Sequence, residues 1–464
     1  MPSANKKNAI LQRWEETFAE RGDAPAVFAP DGRVLRTFAD VENEARSLTA
    51  NELKMVAPRS VLAIQVGNCA SWPALLLAAF RCELIPLPLG RHIEKAERDN
   101  ALQTCDAAAL IESEHDELKL STIGERQSAI DADFLKLTSG TTAAPRAIRF
   151  RAEQLVADCD NICESMGIRS DDVNFGVIPF SHSYGFSNLL TPLLCRGVAL
   201  VASEDRMPRA ILDGLVRSGA TVFPGMPVFF EKFGGMENVL ALPQLRLCIS
   251  AGAPLTKRVA ERFSEKFALK IHTFYGSSEC GGIGYDAGVE FDYEDGFAGQ
   301  PMNNVHIAPL ESGDVSRIEI CSDAVGEGYL PTSEPDVLGG GRFIPGDLIR
   351  FTKKGMFITG RASDVINVAG RKLNPAEVEA QLSHFSGVKH VVVFGIPSAL
   401  RNEEAIACVA GEVTANDVLH FARTVLSGWQ VPKDVWIVDE IPVSERGKIS
   451  RRELARRYLE KHDC

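Results

Sequence analysis

The chain has 464 residues, too many for one ordinary domain, so two or three are expected. Apolar residues make up 45% and charged residues 24%, a globular balance that excludes a disordered or fibrous protein. A net charge of −12 supplies no basic footprint for nucleic acid. Eleven cysteines are scattered singly, without a C-x-x-C pair or a Cys/His cluster, which suits reduced thiols and argues against structural zinc. The start, MPSANKKNAILQRWEETFAERGD, has no apolar signal core, so a cytoplasmic protein is expected. No apolar run reaches the roughly 18–20 residues that cross a bilayer. The best, WPALLLAAF at 72–80, reads as a buried helix.

In chain order, SVLAIQVGN, VALVAS, ATVFPGMP and LRLCISAGAPL are short apolar runs ended by Gly, Pro or Ser, and they read as strands. Amphipathic stretches such as MPRAILDGLVRSG and TKRVAERFSEKFA alternate with them and read as helices. This alternation predicts wound α/β layers with mostly parallel strands, whose ligands bind in loops at strand carboxyl ends. A stretch rich in Gly, Asp and short strands, 285–345, predicts a β-rich lobe reaching to about 360. From about 363 a helix (AEVEAQLSHF), two strands (KHVVVFGIP, EEAIACVAG) and a helix (ANDVLHFARTVL) predict a small α+β domain. The expected division is therefore a large domain over 1–361 and a small, mobile one over 362–464.

Five segments carry candidate chemistry. LTSGTTAAPRAIRF (137–150) sets Thr138, Ser139, Thr141 and Thr142 around Gly140, then adds one cation, Arg146. Glycine permits close backbone approach, and N–H and O–H donors can converge on phosphate oxygens. A solvated loop has the same composition, and the G-x-x-x-x-G-K-[ST] pattern is absent. FYGSSECGG (274–282) puts Glu279 after a strand and a hydroxyl pair, where a carboxylate could hold a hard cation or simply face solvent. In IPGDLIRF (344–351) Asp347 could accept ribose hydroxyls, though turn aspartates are common. ITGRASDVINVAGRKLNPAEVE (358–379) offers Arg361 and Asp364 at a domain junction, then a glycine-flanked basic turn. IPVSERGKISRREL (441–454) presents Lys448 in a Gly-containing loop before a basic helix.

Taken together and in this order, these segments resemble the acyl-adenylate-forming family: acyl-CoA synthetases, aryl-CoA ligases, peptide-synthetase adenylation domains and firefly luciferase. The resemblance spans the chain, from RTFADVENEARSLT (36–49) and VLAIQVGNCASWPALLLAAFRCELIPLPL (61–89) to the Lys448 loop. It implies that Thr138–Thr142 and Arg146 bind phosphate, and that Gly252 and Ala253 of SAGAPL line the adenine and acyl pocket. Thr273, Tyr275, Gly276 and Ser278 would line the nucleotide, while Glu279, with Thr138, would hold Mg²⁺. Asp347 and Arg361 match the ribose pair, and Lys448 the lysine that bridges carboxylate and α-phosphate. His182 and Tyr184 of PFSHSYGFS (179–187) would face the acyl group, with Gly281 and Gly282 leaving it volume. Gly370, Arg371 and Lys372 would meet the pantetheine arm or the 3′-phosphate of coenzyme A, and Ser363 stands at the hinge.

The chain departs from the family's S-G-T-T-G-x-P-K-G loop at Ala143, Arg146 and Ala147. Pro345 replaces a common threonine, and Ser363 a common Asp or Lys. Arginine keeps the charge of lysine but is a planar fork. The resemblance implies ATP-dependent activation of a fatty or aromatic acid, followed by transfer to coenzyme A. Two alternatives stay open: delivery to the phosphopantetheine of an acyl carrier protein, and a catalytically weakened nucleotide-binding regulator. Neither nucleic acid nor a transmembrane segment is expected.

Overall fold

The structure is a computed structural model that describes residues 7–114, 117–124, 128–138, 146–237, 239–398, 402–442 and 450–462. By packing the chain divides into two compact units. One is Met1–Ala308 with Glu319–Ile344; the other is Pro309–Ile318 with Pro345–Cys464. The fold is the expected mixed α/β one, a large N-terminal part followed by a small C-terminal part.

In the large unit, six strands run parallel in the spatial order Pro25–Phe28, Ala199–Ala202, Val173–Gly176, Val222–Gly225, Leu247–Ser250 and Ile271–Ser277. Three of the apolar runs read as strands, VALVAS, ATVFPGMP and LRLCISAGAPL, fall here, and the fourth, SVLAIQVGN, falls in the second sheet. Their side chains are apolar on both faces because helices cover both. Pro208–Ser218 and Lys257–Phe267 are the amphipathic helices expected between them. Gly281–Tyr285 returns antiparallel on Ile271–Ser277. A second sheet pairs Val61–Gln65 with Ile85–Pro88 and Ala107–Glu114. The apolar run at 72–80 forms the helix Trp72–Arg81, buried along nearly its whole length. Among the described residues, no helix is long and apolar enough to cross a membrane.

A third, three-stranded antiparallel sheet positions the candidate site. Phe134–Thr138 and Arg146–Phe150 form a hairpin in which Thr138 faces Arg146, and Gly328–Leu330 adds to its edge. Leu135 and Ala147 are fully buried in a core shared with Ile85, Leu87 and Leu110, so the hairpin is anchored from below. The β-rich stretch after residue 285 contributes Phe297–Pro301 and a small sheet that includes His306–Pro309 and Ile318–Cys321.

In the small unit, Asp347–Phe351 pairs antiparallel with Met356–Arg361. A sheet follows in which Asn402–Gly411 lies between Val388–Ser398 on one side and Ile366–Val368 and Asp434–Val438 on the other. Strand alternation feeds two cores. Val393, Ala405, Ala407 and Val409 meet Val378, Leu382, Val418 and Ala422. Val392, Phe394, Ile406 and Cys408 meet Leu454 and Tyr458. That two-sided burial explains why KHVVVFGIP is a continuous apolar run.

Candidate active site

The site begins where the hairpin ends. Thr138 Oγ1 donates to the Arg146 carbonyl at 3.2 Å, which fixes the two ends of the hydroxyl-rich loop relative to each other. Ser139, Gly140, Thr141 and Thr142 lie outside the described residues, as does Lys448. Arg146 stacks its guanidinium over the Tyr329 ring, 3.8 Å from the centroid. Its Nη2 lies 3.0 Å from Glu334 Oε1, yet that nitrogen is buried and has no aligned acceptor among the described residues. Tyr329 reaches Arg146 because its strand pairs with the hairpin, Tyr329 opposite Ile148, and Arg146 is the diagonal neighbour on the same face.

Glu279 sits in the turn between the strands Ile271–Ser277 and Gly281–Tyr285. Its N–H donates to Ser277 Oγ at 3.2 Å, and its carbonyl accepts from Gly326 N–H at 2.9 Å. Its carboxylate Oε1 accepts from the Tyr329 hydroxyl at 3.0 Å. Burial, and then the Glu279 charge, push the Tyr329 hydroxyl above its ordinary range, so it stays protonated and donates. Ser183 Oγ donates to Ser278 Oγ at 2.9 Å, which brings the PFSHSYGFS segment to the same turn. Direct contacts thus run from Thr138 through Arg146, Tyr329 and Glu279 to the turn that holds Ser278, which Ser183 reaches from its own segment.

Behind this line lies Lys136, a lysine inside an apolar strand. It is buried, donates to Ser187 Oγ at 3.4 Å, and stands 4.6 Å from the Phe150 ring centroid. Burial lowers its pKa, opposed by the carboxylates of Asp158 and Glu279. Sequence reasoning missed Lys136 and Tyr329. A cation in FLKL was a visible signal for the first; VGEGYL gave none for the second.

Several expected site residues have structural partners of their own. Tyr184, expected beside an acyl group, donates its hydroxyl into the parallel sheet, 3.2 Å from the Gly225 carbonyl. His182 Nδ1 accepts from Tyr184 N–H at 3.2 Å and so caps the short helix that follows. Gly281 and Gly282 were expected to leave volume for an acyl group. A Cβ at Gly281 would fall 1.9 Å from Asp158 Oδ1, and one at Gly282 2.5 Å from Met302 Sδ. Asp158 is buried and accepts from Gly282 N–H at 3.0 Å, so these glycines admit a helix carboxylate and close packing. Gly252, at φ +85°, and Ala253 form an exposed loop after Leu247–Ser250. Thr273 is a rung beside Ser250, Tyr275 is buried, and Gly276 sits at a register shift.

Within the small unit, Asp347 and Arg361 are cross-strand partners, and Arg361 Nε donates to Asp347 Oδ1 at 2.9 Å. Ser363 Oγ donates to Asp364 at 3.2 Å. Arg451 holds Asp364 and Glu379 at 2.8 Å each, and the Val393 carbonyl at 2.9 Å. It is therefore engaged inside the unit. Ala369 and Gly370, at φ +52° and +85°, make a two-residue turn between paired strands, the primed turn that favours glycine. A Cβ at Gly370 would meet nothing within 4 Å, so backbone conformation alone explains that glycine. Beside it, Arg371 lies over the Trp429 ring at 5.4 Å, and Lys372 is exposed.

The sequence pattern of the AMP-binding enzyme family matches residues 14–133 and 123–330, and that of the AMP-binding enzyme C-terminal domain matches 377–448. The chain belongs to the AMP-binding enzyme family. Among curated relatives of this AMP-binding enzyme, a feruloyl-CoA synthase of Amycolatopsis sp. is 26% identical over 492 aligned positions, covering 97% of this chain and all of that one. An oxalate–CoA ligase of Arabidopsis thaliana is 25% identical, covering 88% of this chain and 90% of its own length. Among solved structures, ATP-bound MatB from Rhodopseudomonas palustris superposes with a TM-score of 0.85 at 22% identity, covering 97% and 99% of the two chains. The fold of this AMP-binding enzyme is that of such proteins.

Proposed function

We propose that this AMP-binding enzyme uses ATP to convert a carboxylic acid into an acyl-adenylate, then passes the acyl group to the thiol of coenzyme A. Family membership supports the first half. The observation that carries the site is the Arg146–Tyr329–Glu279 line, which gathers a cation and a carboxylate at the ends of two loops rich in hydroxyl groups. Coenzyme A is preferred to a carrier protein because the relatives are named as CoA synthases and ligases. The acid is fatty or aromatic, and the feruloyl-CoA synthase resemblance favours an aromatic one.

A carboxylate is a poor electrophile, and oxide is not a viable leaving group. In the first step its oxygen attacks the α-phosphorus of ATP, the bond to the β-phosphate breaks, and pyrophosphate leaves. In the second a thiol sulfur attacks the activated carbonyl, and AMP departs with the former carboxylate oxygen. No protein nucleophile is needed, so the chain's task is alignment and charge neutralisation. Arg146 and the hydroxyl loop would hold phosphate, Asp347 with Arg361 the ribose, and Lys448 the carboxylate and α-phosphate. Mg²⁺ is typically held by one or two carboxylates plus substrate phosphates, which fits Glu279. The Thr138 hydroxyl hydrogen is directed to the Arg146 carbonyl, leaving its oxygen lone pairs for a cation. When bound, the ion would offset phosphate charge. The small domain would pivot near Arg361–Asp364 between the two steps, exposing the Gly370 turn to the pantetheine arm.

The test is ATP–pyrophosphate exchange with a panel of cinnamates, benzoates and medium and long fatty acids, followed by thioester formation with coenzyme A. Exchange that depends on one acid class, and thioester from that acid, is the expected result. Nucleotide binding without exchange for any acid would favour the regulator instead.

A further inference from the structure

Tyr329 lies outside every motif that marks the nucleotide site, yet it touches two of the site's charged groups at once. Its ring face carries the Arg146 guanidinium at 3.8 Å, and its hydroxyl donates to Glu279 at 3.0 Å. The tyrosine is itself fixed. Its strand is hydrogen-bonded to the hairpin, and the residue that begins its approach, Gly326, donates its N–H to the Glu279 carbonyl. A Cβ at Gly326 would fall 2.7 Å from Ile148, so the close approach is built into the sequence.

Arg146 has a second partner, Glu334, at the end of an exposed side chain. Their 3.0 Å approach is charge contact without alignment, because Arg146 Nη2 has no aligned acceptor among the described residues. A buried guanidinium nitrogen in that state costs free energy until an acceptor arrives. A phosphate oxygen is the acceptor that an arginine fork fits best.

We propose that Tyr329 is a positioning residue of the adenylation site, holding Arg146 and Glu279 in fixed relation, and that Glu334 neutralises Arg146 until a nucleotide phosphate displaces it. The inference rests on the reading of this site as nucleotide-binding. It explains why arginine serves here: lysine has no planar face to lie on the tyrosine ring. The ring sets the direction of the fork, the hydroxyl sets the carboxylate, and the acidic partner keeps the cation from binding anions indiscriminately.

Calorimetric titration of the full chain with ATP and with adenosine, alongside pyrophosphate exchange, tests this on wild type, Tyr329→Phe, Tyr329→Leu and Glu334→Gln. Tyr329→Phe keeps the ring and loses the hydroxyl, so ATP affinity stays within about twofold while kcat falls about tenfold. Tyr329→Leu also loses the ring face, and ATP binding weakens by about tenfold. Glu334→Gln removes the competing charge, so ATP binds about threefold or more tighter while adenosine, which has no phosphate, binds as before. Wild-type kinetics in Tyr329→Phe overturn the positioning role. Unchanged or weaker ATP binding in Glu334→Gln, or a parallel change for adenosine, overturns the counter-ion role. Should Tyr329→Leu fail to fold, the other two variants decide. Wild-type protein that neither binds ATP nor exchanges pyrophosphate defeats the functional reading itself, an outcome separate from failure of the variants.

Discussion

Glu279 in the large unit and Asp347 in the small one are both carboxylates matched to the nucleotide, and they are held in opposite ways. Asp347 meets Arg361 across one antiparallel rung, 14 residues away in sequence, and Arg361 remains 62% exposed. Glu279 meets Tyr329 from 50 residues away, on a turn tied by its own backbone, with an arginine stacked behind the tyrosine and a buried lysine beneath. An ion pair whose cation is exposed contributes little to stability. A group aligned by a buried hydroxyl keeps its direction at little further entropic cost. The difference teaches how each carboxylate is aimed: Glu279 by a buried hydroxyl brought from far along the chain, Asp347 by a cation on the adjacent strand.

The largest effect that could break this comparison comes from a third place. Removing a preorganised donor at developing charge costs roughly 10²–10³ in rate. Lys448→Ala is expected to lose acid-dependent pyrophosphate exchange by that factor while sparing thioester formation from a supplied acyl-adenylate. Exchange at near wild-type rate would move the catalytic charge back to the Arg146–Glu279 line.

Arg451→Ala asks whether the small unit also has a rigid charged centre. It would strand Asp364 and Glu379, and a loss of about 2 kcal/mol in unfolding free energy is expected, read by denaturant titration. Arg451→Lys should recover part of it. A smaller effect is expected from Lys136→Met, which replaces a buried cation by an apolar side chain of similar length. Unfolding free energy should stay within about 1 kcal/mol of wild type or rise. A large loss would show that the cation itself holds the site together.

The smallest effect is a pH dependence. Burial first, and then the Lys270 charge, lower the pKa of His272 below the ordinary 6.5 of a histidine. The folded protein then binds fewer protons than the unfolded chain between the two values, so stability rises with pH across that window. This contribution is fully present above about 6.5 and is lost as pH falls through the window toward the folded value. His272→Gln should flatten that slope in urea midpoints measured from pH 7 downward.

Much of the fold was legible because burial and period coincide. Short apolar runs ended by Gly or Pro became parallel strands, and the helix Trp72–Arg81 was plain in its sequence. Of the site, what was legible was local. Asp347 and Arg361 fall in adjacent strands, and Thr138 and Arg146 close one hairpin. Tyr329 was not legible, since its value lies in which face of the hairpin its strand covers. The tie between Gly281 and Asp158 was not legible for a related reason: the sequence does not show that the helix bearing Asp158 packs where a side chain at 281 would stand.

The most direct measurement is a crystal structure of the protein with ATP or a non-hydrolysable analogue. The account predicts phosphate oxygens on the Arg146 fork, Glu334 displaced, and the Tyr329 hydroxyl still on Glu279. Phosphates bound elsewhere while Arg146 stays on Glu334 would contradict it.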